Sequence, residues 1–523
     1  MFTTLCLVTL SLLTSPYPEG AEIPRNLTSE EARMVARNPI APPRGATSPP
    51  IGNIHCVAEY EPMDAILLAW EGSSSWKTIV ARMAANITTV GNADAIIAVD
   101  TTSEESSALS QISSYGGDTS RVIFVVRTTD TIWIRDYGPR YIYEGECRAI
   151  VDHTYNRPRP NDNAFSSYLG LVLGHKVYEL PLVHGGGNFH LNAGNVGWST
   201  ELISNENGGM SEAAIRAYWQ DFQNLNVTIT DAFPTSVDST QHIDMWMCWA
   251  SDTTCIVSDW PYNSGSVQDV ICDTTSATLK FLGYTVVRTP ARRVSWTHYT
   301  YANSVICNDL VLVPSYTNSS VTQHNAEAIT AWQVACPDKT IISVPCENIV
   351  TSAGVMHCIC MHIPKHLGGN APTAHLQTPT GGQLFEPDQQ VPVLWITDDD
   401  VAVNSVSIDL SIDAGLSWQA VATGLESSGF YVWEVPDLST HEGKLRVTAF
   451  DGSGNSGFNV GDGMFIINGT QVAGDVNGDG LVNVEDILQV MGHWGSCSLS
   501  CPEDLDGDGI VGVTDLLIVV ANW

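Results

Sequence analysis

From about residue 54 to residue 365 the chain repeats one pattern of apolar and polar positions five times: a stretch with helical period, then a short apolar run. Helices are predicted near 75–88 (SWKTIVARMAANIT), 162–173, 211–224 (SEAAIRAYWQDFQN), 266–282 and 323–335 (QHNAEAITAWQVA). The runs that follow, 94–99 (DAIIAV), 176–183, 226–230, 284–288 and 339–344 (KTIISV), predict strands. Ser211 and Glu212 read as a helix cap and acidic first turn. Five helix–strand units predict a repeated α/β architecture. The competing doubly wound dinucleotide fold lacks its Gly-x-Gly-x-x-Gly between strand and helix.

The period changes after Pro364. Between about 374 and 468 the stretch VNSVSIDLSIDAGLSW alternates, with Val406, Ile408, Leu410 and Ile412 on one face and Ser407, Asp409 and Ser411 on the other. Tyr431, Trp433 and Val435 repeat the alternation, as do Leu445, Val447 and Ala449, and turn signals separate the runs. This spacing predicts a β-sandwich that looks immunoglobulin-like. Nothing in it points to chemistry.

Residues 472–523 hold two similar segments, DVNGDGLVNVEDILQVMGHW and DLDGDGIVGVTDLLIVVANW. Asp475, Asn477, Asp479, Asn483 and Asp486 fall at positions 1, 3, 5, 9 and 12 of a calcium loop, with Gly480 at its sharp turn. Asp504, Asp506, Asp508 and Asp515 repeat the set around Gly509, without a side-chain ligand at position 9. A hard cation needs several oxygen ligands, and alternate positions in a tight loop converge on one point. One helix is predicted after each loop. The pair resembles a type I dockerin, which implies Ca²⁺ and either a cohesin-type partner or packing against a neighbouring domain. Cys497 and Cys501, between the repeats, are placed for a local disulfide.

At the other end, the apolar run LCLVTLSLL at 5–13 is too short to span a bilayer and is followed by SPYPEGAEIP. It reads as the core of a signal peptide over 1–23, although no Lys or Arg precedes it, and it places the protein outside the cell or at its surface. No later stretch has the length of a transmembrane helix. Residues 24–50, polar and Pro-rich, read as a pro-segment or linker ahead of a folded domain over 51–366. Loss of the leader removes Cys6 and leaves twelve cysteines, most of which an oxidising compartment could pair.

The 523 residues carry 57 acidic against 23 basic side chains, a formal charge of −34. That excess repels nucleic acid and anionic lipid and favours cationic ligands.

Four segments set polar residues among apolar ones. Asp136 follows an apolar run in WIRDYGP at 133–139. His242 and Asp244 share a face if their segment is extended. Asn303 precedes another apolar run, and Cys358 follows the small residues Ser352, Ala353 and Gly354. Each alone admits a structural reading: a cap, a buried pair, a turn, a core thiol. Together, a thiolate, a histidine and two carboxylates suit a planar cationic electrophile, since carboxylates pair bidentately with a guanidinium. Because the groups come from different repeats, they meet only if the repeats close into a ring.

EYEPMDAILLAW at 59–70, WIRDYGP, HGGGNFH at 184–190, the His-x-Asp at 242–244 and SAGVMHC at 352–358 resemble the guanidine-modifying superfamily, which includes agmatine deiminases and bacterial peptidylarginine deiminases. The resemblance implies a five-bladed α/β propeller with its site on the central axis. It implies that Asp136 and Asp244 hold the guanidinium beside Trp133 and that Cys358 attacks the guanidino carbon. His242 moves the protons, Asn303 orients Cys358 or substrate, and no cofactor takes part. Gly185 to Gly187, with Asn188, are expected to let backbone approach the substrate stem. The leader, the immunoglobulin-like region and the Asn156–Pro160 segment resemble the peptidylarginine branch. In that branch Arg157 and Arg159 correspond to a pair that binds the α-carboxylate of a C-terminal arginine.

The resemblance thus implies a secreted enzyme producing citrulline and ammonia. Its rivals are an agmatine or free-arginine deiminase, a papain-like protease or transamidase, and a non-catalytic calcium-dependent binding protein. The protease reading is weakened by the order of Cys358 after His242 and Asn303. Cys360, two residues beyond the nucleophile, would share its face in an extended strand and compete as a disulfide partner.

Overall fold

The computed structural model describes residues 15–42, 47–469, 472–478, 481–497 and 501–523. The apolar run at 5–13, Asp479 and Gly480 lie outside the described residues. Two compact units form: Met1–Glu144 with Arg148–Lys365, and Gly145–Cys147 with His366–Trp523.

The first unit is α/β. Each of five small sheets contains a parallel pair of strands joined through a helix. Strand Met63–Ala69 leads through helix Ser74–Thr89 to Asp94–Val99, and Cys147–Tyr155 through Phe165–Leu173 to Lys176–His184. Val196–Thr200 leads through Glu212–Gln223 to Asn226–Thr230, and Thr254–Asp259 through Val267–Phe281 to Thr285–Val294. The last pair is Leu310–Ser315 and Thr340–Pro345, joined through Asn325–Ala335. Parallel pairing requires such a crossover, and helices against a sheet account for strands that are apolar nearly throughout. In Met63–Ala69 only Asp64 is not fully buried.

Local signals set the helices. In Ser74–Thr89, Trp76, Ile79, Val80, Met83 and Ile87 are buried, a helical spacing that turns one face to the core. Ser211 Oγ accepts the Ala214 N–H at 3.2 Å, and Asn224, at φ 54°, ends that helix in the left-handed conformation. The five predicted helices and the five strands after them are present, with the second helix broken at Ala164 into Pro160–Asn163 and Phe165–Leu173. Helix Thr102–Ser114 escaped the pattern because only Ala108 and Ile112 are buried. Helix Ser29–Arg37 escaped it as well, although Thr28 and Glu31 form the capping box that their T-x-x-E spacing offers.

Each sheet has one further strand beside the first member of its parallel pair: Arg140–Glu144, His190–Asn192, Met247–Trp249, Val305–Cys307 and Cys360–Pro364. The segment entering each of these strands carries the polar groups described below.

The second unit begins with two β-sheets. One orders Thr373–Thr378, Gln390–Asp398 and Phe430–Glu434. The other is built on Ser439–Asp451 and Val403–Ser411. Val406, Ile408, Leu410, Trp433, Val435, Leu445, Val447 and Ala449 form its core, as the alternation predicts. Ser407 and Ser411, expected on the solvent side, are buried; Ser411 Oγ bonds into the turn at Asp413 and Gly415. Helices Val484–Gly492 and Val513–Asn522 follow the two acidic loops, and Cys497 is joined to Cys501. The expectation that most cysteines pair fails. Cys56, Cys248, Cys255, Cys272, Cys307, Cys336, Cys346, Cys358 and Cys360 are thiols buried in the first unit. Among the described residues no helix is long and apolar enough to cross a membrane.

Candidate functional site

The five entering segments converge. Asp136 lies on the short helical turn Ile134–Tyr137, not at a strand end, and the turn ends on Gly138 just before strand Arg140–Glu144. Gly187 and Asn188 belong to the 3₁₀ turn Gly186–Asn188 ahead of His190–Asn192. His242 and Asp244 flank Ile243 at a 3₁₀ turn rather than in extended chain. Asn303 precedes Val305, and Cys358 lies on the 3₁₀ turn His357–Ile359. All of these side chains are buried.

At their meeting point stands a guanidinium from the chain itself. Arg25, in the stretch assigned to a pro-segment or linker, is fully buried there. Its Nε and Nη2 donate to Asp136 Oδ2 and Oδ1 at 2.9 and 2.7 Å. Nη1 and Nη2 donate to Asp244 Oδ1 and Oδ2 at 3.0 and 2.9 Å. Nη1 lies 2.6 Å from Cys358 Sγ, and Nη2 lies 2.8 Å from His242 Nδ1. Two bidentate carboxylates thus take four of the five guanidinium N–H groups, and the fifth faces the sulfur, with the imidazole alongside.

Supporting contacts fix these groups. The Asn303 amide lies 3.2 Å from Cys358 Sγ through Nδ2, which also donates to Asp244 O at 3.1 Å. Asn303 Oδ1 accepts the His357 N–H at 3.2 Å. His357 bridges Asp244 Oδ2 at 3.0 Å and Glu59 Oε2 at 2.9 Å, and Arg135 Nη1 donates to Glu59 Oε1 at 2.7 Å. Trp133 walls the site rather than stacking on the cation. It meets Trp76 edge-on at 5.6 Å and donates its indole N–H to Ile23 O at 2.8 Å.

Glycines matter here for space. A methyl on Gly187 would stand 1.8 Å from Arg25 Nη2 and 2.8 Å from both Asp136 Oδ1 and Asp244 Oδ2. Gly187 therefore makes room for the cationic head, whereas methyls on Gly185 and Gly186 would meet His242 and the Arg135 carbonyl. A methyl on Gly354 would stand 2.6 Å from Trp133 Cζ3 and 3.0 Å from Cys358 Sγ.

Arg157 and Arg159 face the backbone around Arg25. Arg157 Nε donates to Arg25 O at 3.2 Å, and Arg159 Nη2 donates to Pro24 O at 2.8 Å. Arg159 Nε also donates to Glu31 Oε1 at 2.8 Å.

Cys360 is separated from Cys358 by the turn. Its Sγ lies 3.6 Å from His357 O and 3.7 Å from Arg135 Nη2, and both cysteines are thiols. That geometry removes the competition expected of an extended strand.

The electrostatics are coupled to the cation. Burial pushes the Asp136 carboxyl up, but Arg25 and His242 outweigh it and hold the group well below the usual carboxylate range. Burial likewise opposes ionisation of Asp244, and Arg25 and His357 reverse it. Burial pushes the Cys358 thiol well up, and the Arg25 guanidinium opposes that effect. A sulfur beside a doubly clamped guanidinium can attack its central carbon, the most electrophilic atom in reach.

Sequence reasoning missed Arg25, Glu59, Arg135 and His357. Glu59 stood in EYEPMDAILLAW beside Glu61 and Asp64, Arg135 in WIRDYGP beside Asp136, and Arg25 three residues before the capping box, so neither pattern nor spacing set them apart.

Among the described residues three groups of side chains bring possible metal ligands together, and one of them, Asp259, Asp269 and Asp273, is partly neutralised by Arg288 at 3.1 Å from Asp259 and 2.7 Å from Asp273. Glu59, His190 and His357 bring ligand atoms close together, but the Arg135 and Arg140 guanidinium groups also face Glu59, at 2.7 and 4.0 Å, which disfavours a cation. In the second unit the carboxylates of Asp504, Asp506 and Asp508 bring their oxygens together. Asp486 and Asp515, at position 12 of each loop, use one oxygen alike: Oδ1 accepts the N–H groups of Val476 and Asn477, and of Leu505 and Asp506.

Residues 55–364 match the profile of the Porphyromonas-type peptidyl-arginine deiminases. An agmatine deiminase of Ectopseudomonas mendocina is 23% identical over 376 residues, spanning 62% of this chain and 98% of that protein. The solved agmatine deiminase of C. jejuni superposes with a TM-score of 0.52 at 19% identity, covering 60% of this chain and 96% of that one. That of Enterococcus faecalis gives 0.51 at 17%, covering 61% and 100%. These structures share the α/β fold of the first unit. With 310 consecutive residues matched, the chain belongs to the Porphyromonas-type peptidyl-arginine deiminase family and is a hydrolase of the carbon–nitrogen bonds of amidines.

Proposed function

We propose that the protein converts arginine within a peptide to citrulline and ammonia, in a catalytic domain whose five sheets stand as propeller blades around the site. One observation carries this reading: Arg25, a residue with chain on both sides, occupies the site with its guanidinium on Asp136, Asp244, Cys358 and His242. A pocket that receives an arginine in this way has room for the peptide on either side.

Cys358 attacks the guanidino carbon held by Asp136 and Asp244. His242 protonates the departing ammonia and then takes a proton from the water that hydrolyses the thiouronium. Asn303 orients the sulfur, and Trp133 closes the pocket. No redox or organic cofactor enters this reaction.

Relatives named agmatine deiminases support a second reading. The chemistry beyond the stem favours the first. Arg157 donates to the main-chain oxygen of Arg25, where an α-carboxylate would gain charge and where agmatine, which lacks the carboxyl group, offers no acceptor. A C-terminal arginine is therefore the preferred substrate, supported by Arg157 and Arg159.

In the C-terminal module we propose Ca²⁺ bound by Asp475, Asn477, Asp479, Asn483 and Asp486, and by Asp504, Asp506, Asp508 and Asp515. Such a module would suit a cohesin-type partner, and the preceding β-rich region an immunoglobulin-like role as spacer in a secreted or surface-held enzyme.

Citrulline released from a peptide ending in arginine, from one with internal arginine and from agmatine separates the substrate readings. The expected order of kcat/KM is C-terminal, then internal, then agmatine, and turnover of agmatine alone rejects peptide specificity. Gly187→Ala should lower kcat/KM by about 100-fold or more, since its methyl enters the guanidinium site. A loss below about threefold would show that the cation does not bind there. Removing Ca²⁺ with EGTA should abolish the calorimetric transition of the C-terminal module while citrulline formation persists. Equal transitions with and without chelator would exclude calcium from the loops.

A further inference from the structure

We propose that Arg25 is a self-modification site: the enzyme deiminates it within the same chain, and that conversion opens the site to external substrate. The inference rests on the deiminase reading above and extends it to a residue of the protein itself.

Arg25 is held as a substrate would be, and by more than its head. Its own N–H donates to Ser352 O at 3.0 Å, and its carbonyl accepts from Arg157 at 3.2 Å. The flanking carbonyls of Ile23, Pro24 and Asn26 accept from Trp133, Arg159 and Arg159. Beyond them Glu31, on helix Ser29–Arg37, is bound by Arg159 Nε and by the Tyr17 hydroxyl at 2.6 Å. The contacts through Asn26 and Glu31 remain if the chain is cut after residue 23. A segment tethered in this way competes with free peptide at an effective concentration on the order of millimolar, so external substrate is excluded while Arg25 stays cationic.

Cys358, His242, Asp136 and Asp244 already engage Arg25, and the reaction needs only water. Cys358 Sγ, as thiolate, forms a bond to Arg25 Cζ, and the Cζ–Nη2 bond breaks. Nη2, which faces His242 Nδ1 at 2.8 Å, leaves as ammonia with a proton from that ring. Water then adds to Cζ, His242 takes one of its protons, and the C–S bond breaks to return the thiolate. One guanidinium and one water become one ureido group and one ammonium ion. The ureido group is neutral, so Asp136 and Asp244 lose their counter-charge and the segment loses its strongest hold. An arriving arginine restores the pairing.

The test is peptide mass mapping of the full-length protein, with initial rates on a peptide ending in arginine measured on the same samples. In active wild type, residue 25 should carry the mass change of NH replaced by O, and in Cys358→Ser it should remain arginine. His242→Ala serves as a second arrested form should Cys358→Ser not fold. Incubating wild type with Cys358→Ser should leave Arg25 of the inactive chain unchanged; citrulline there would overturn conversion within one chain. Wild type sampled before conversion should show a lag in product formation, and Arg25→Ala should start without one, about tenfold or more faster. Arginine persisting at residue 25 in wild type that turns over added peptide would overturn the proposal and leave the deiminase function standing. Failure of wild type and Arg25→Ala alike on every guanidine substrate would overturn both.

Discussion

Two buried carboxylates around a single flat cation set the terms for the catalytic unit. Asp136 and Asp244 come from separate sheets, yet their oxygens lie 2.7–3.0 Å from the nitrogens of one guanidinium. Taken out of water without a counter-charge, each would be driven towards its neutral acid, and removing one partner of a buried ion pair typically costs about 3–5 kcal/mol. The site is therefore incomplete without an arginine-like group, and its surroundings are organised around that requirement. His357 links Asp244 to Glu59, to which Arg135 also donates; burial would push the Glu59 carboxyl up, but Arg135 and His357 hold it well below the usual range. Cys358 obeys the same logic with opposite consequence. Burial disfavours its thiolate, and the guanidinium that disturbs this balance is the group the sulfur is aimed at.

The fold supplies this convergence by repetition. Each of the five sheets places a strand beside its parallel pair, and the turn entering that strand bears a site group: Asp136, Gly187, Asp244 with His242, Asn303 and Cys358. Short turns beside strand ends hold such groups more rigidly than long loops would, which suits chemistry that depends on sub-ångström placement. The seating of Arg25 between the two acids follows from the same geometry, because an excess of fixed negative charge in a dry pocket attracts whichever guanidinium is tethered nearby.

Much of this could be read from the chain. Period alone located five helices and the strands after them, since Trp76, Ile79, Val80, Met83 and Ile87 write their buried face into the sequence. Chemistry alone brought Asp136, His242, Asp244, Asn303 and Cys358 to one place. Local conformation was harder. His242 and Asp244 share the site through a turn and not through strand alternation, and another turn parts Cys358 from Cys360. Arg25 was illegible for a different reason: its segment has almost no apolar period, being held by hydrogen bonds and ion pairs that leave no periodic trace. The T-x-x-E of Thr28 and Glu31 was the one local signal that this stretch is folded.

Attack by Cys358 at a guanidino carbon held between two acids is the step on which the proposed reaction depends. Rapid acid quenching of the enzyme during turnover of an arginine peptide, followed by mass mapping, tests that step directly. The account predicts the peptide, less one ammonia, attached through sulfur to the fragment containing Cys358. A covalent adduct on any other residue, or full turnover with none formed, would contradict it.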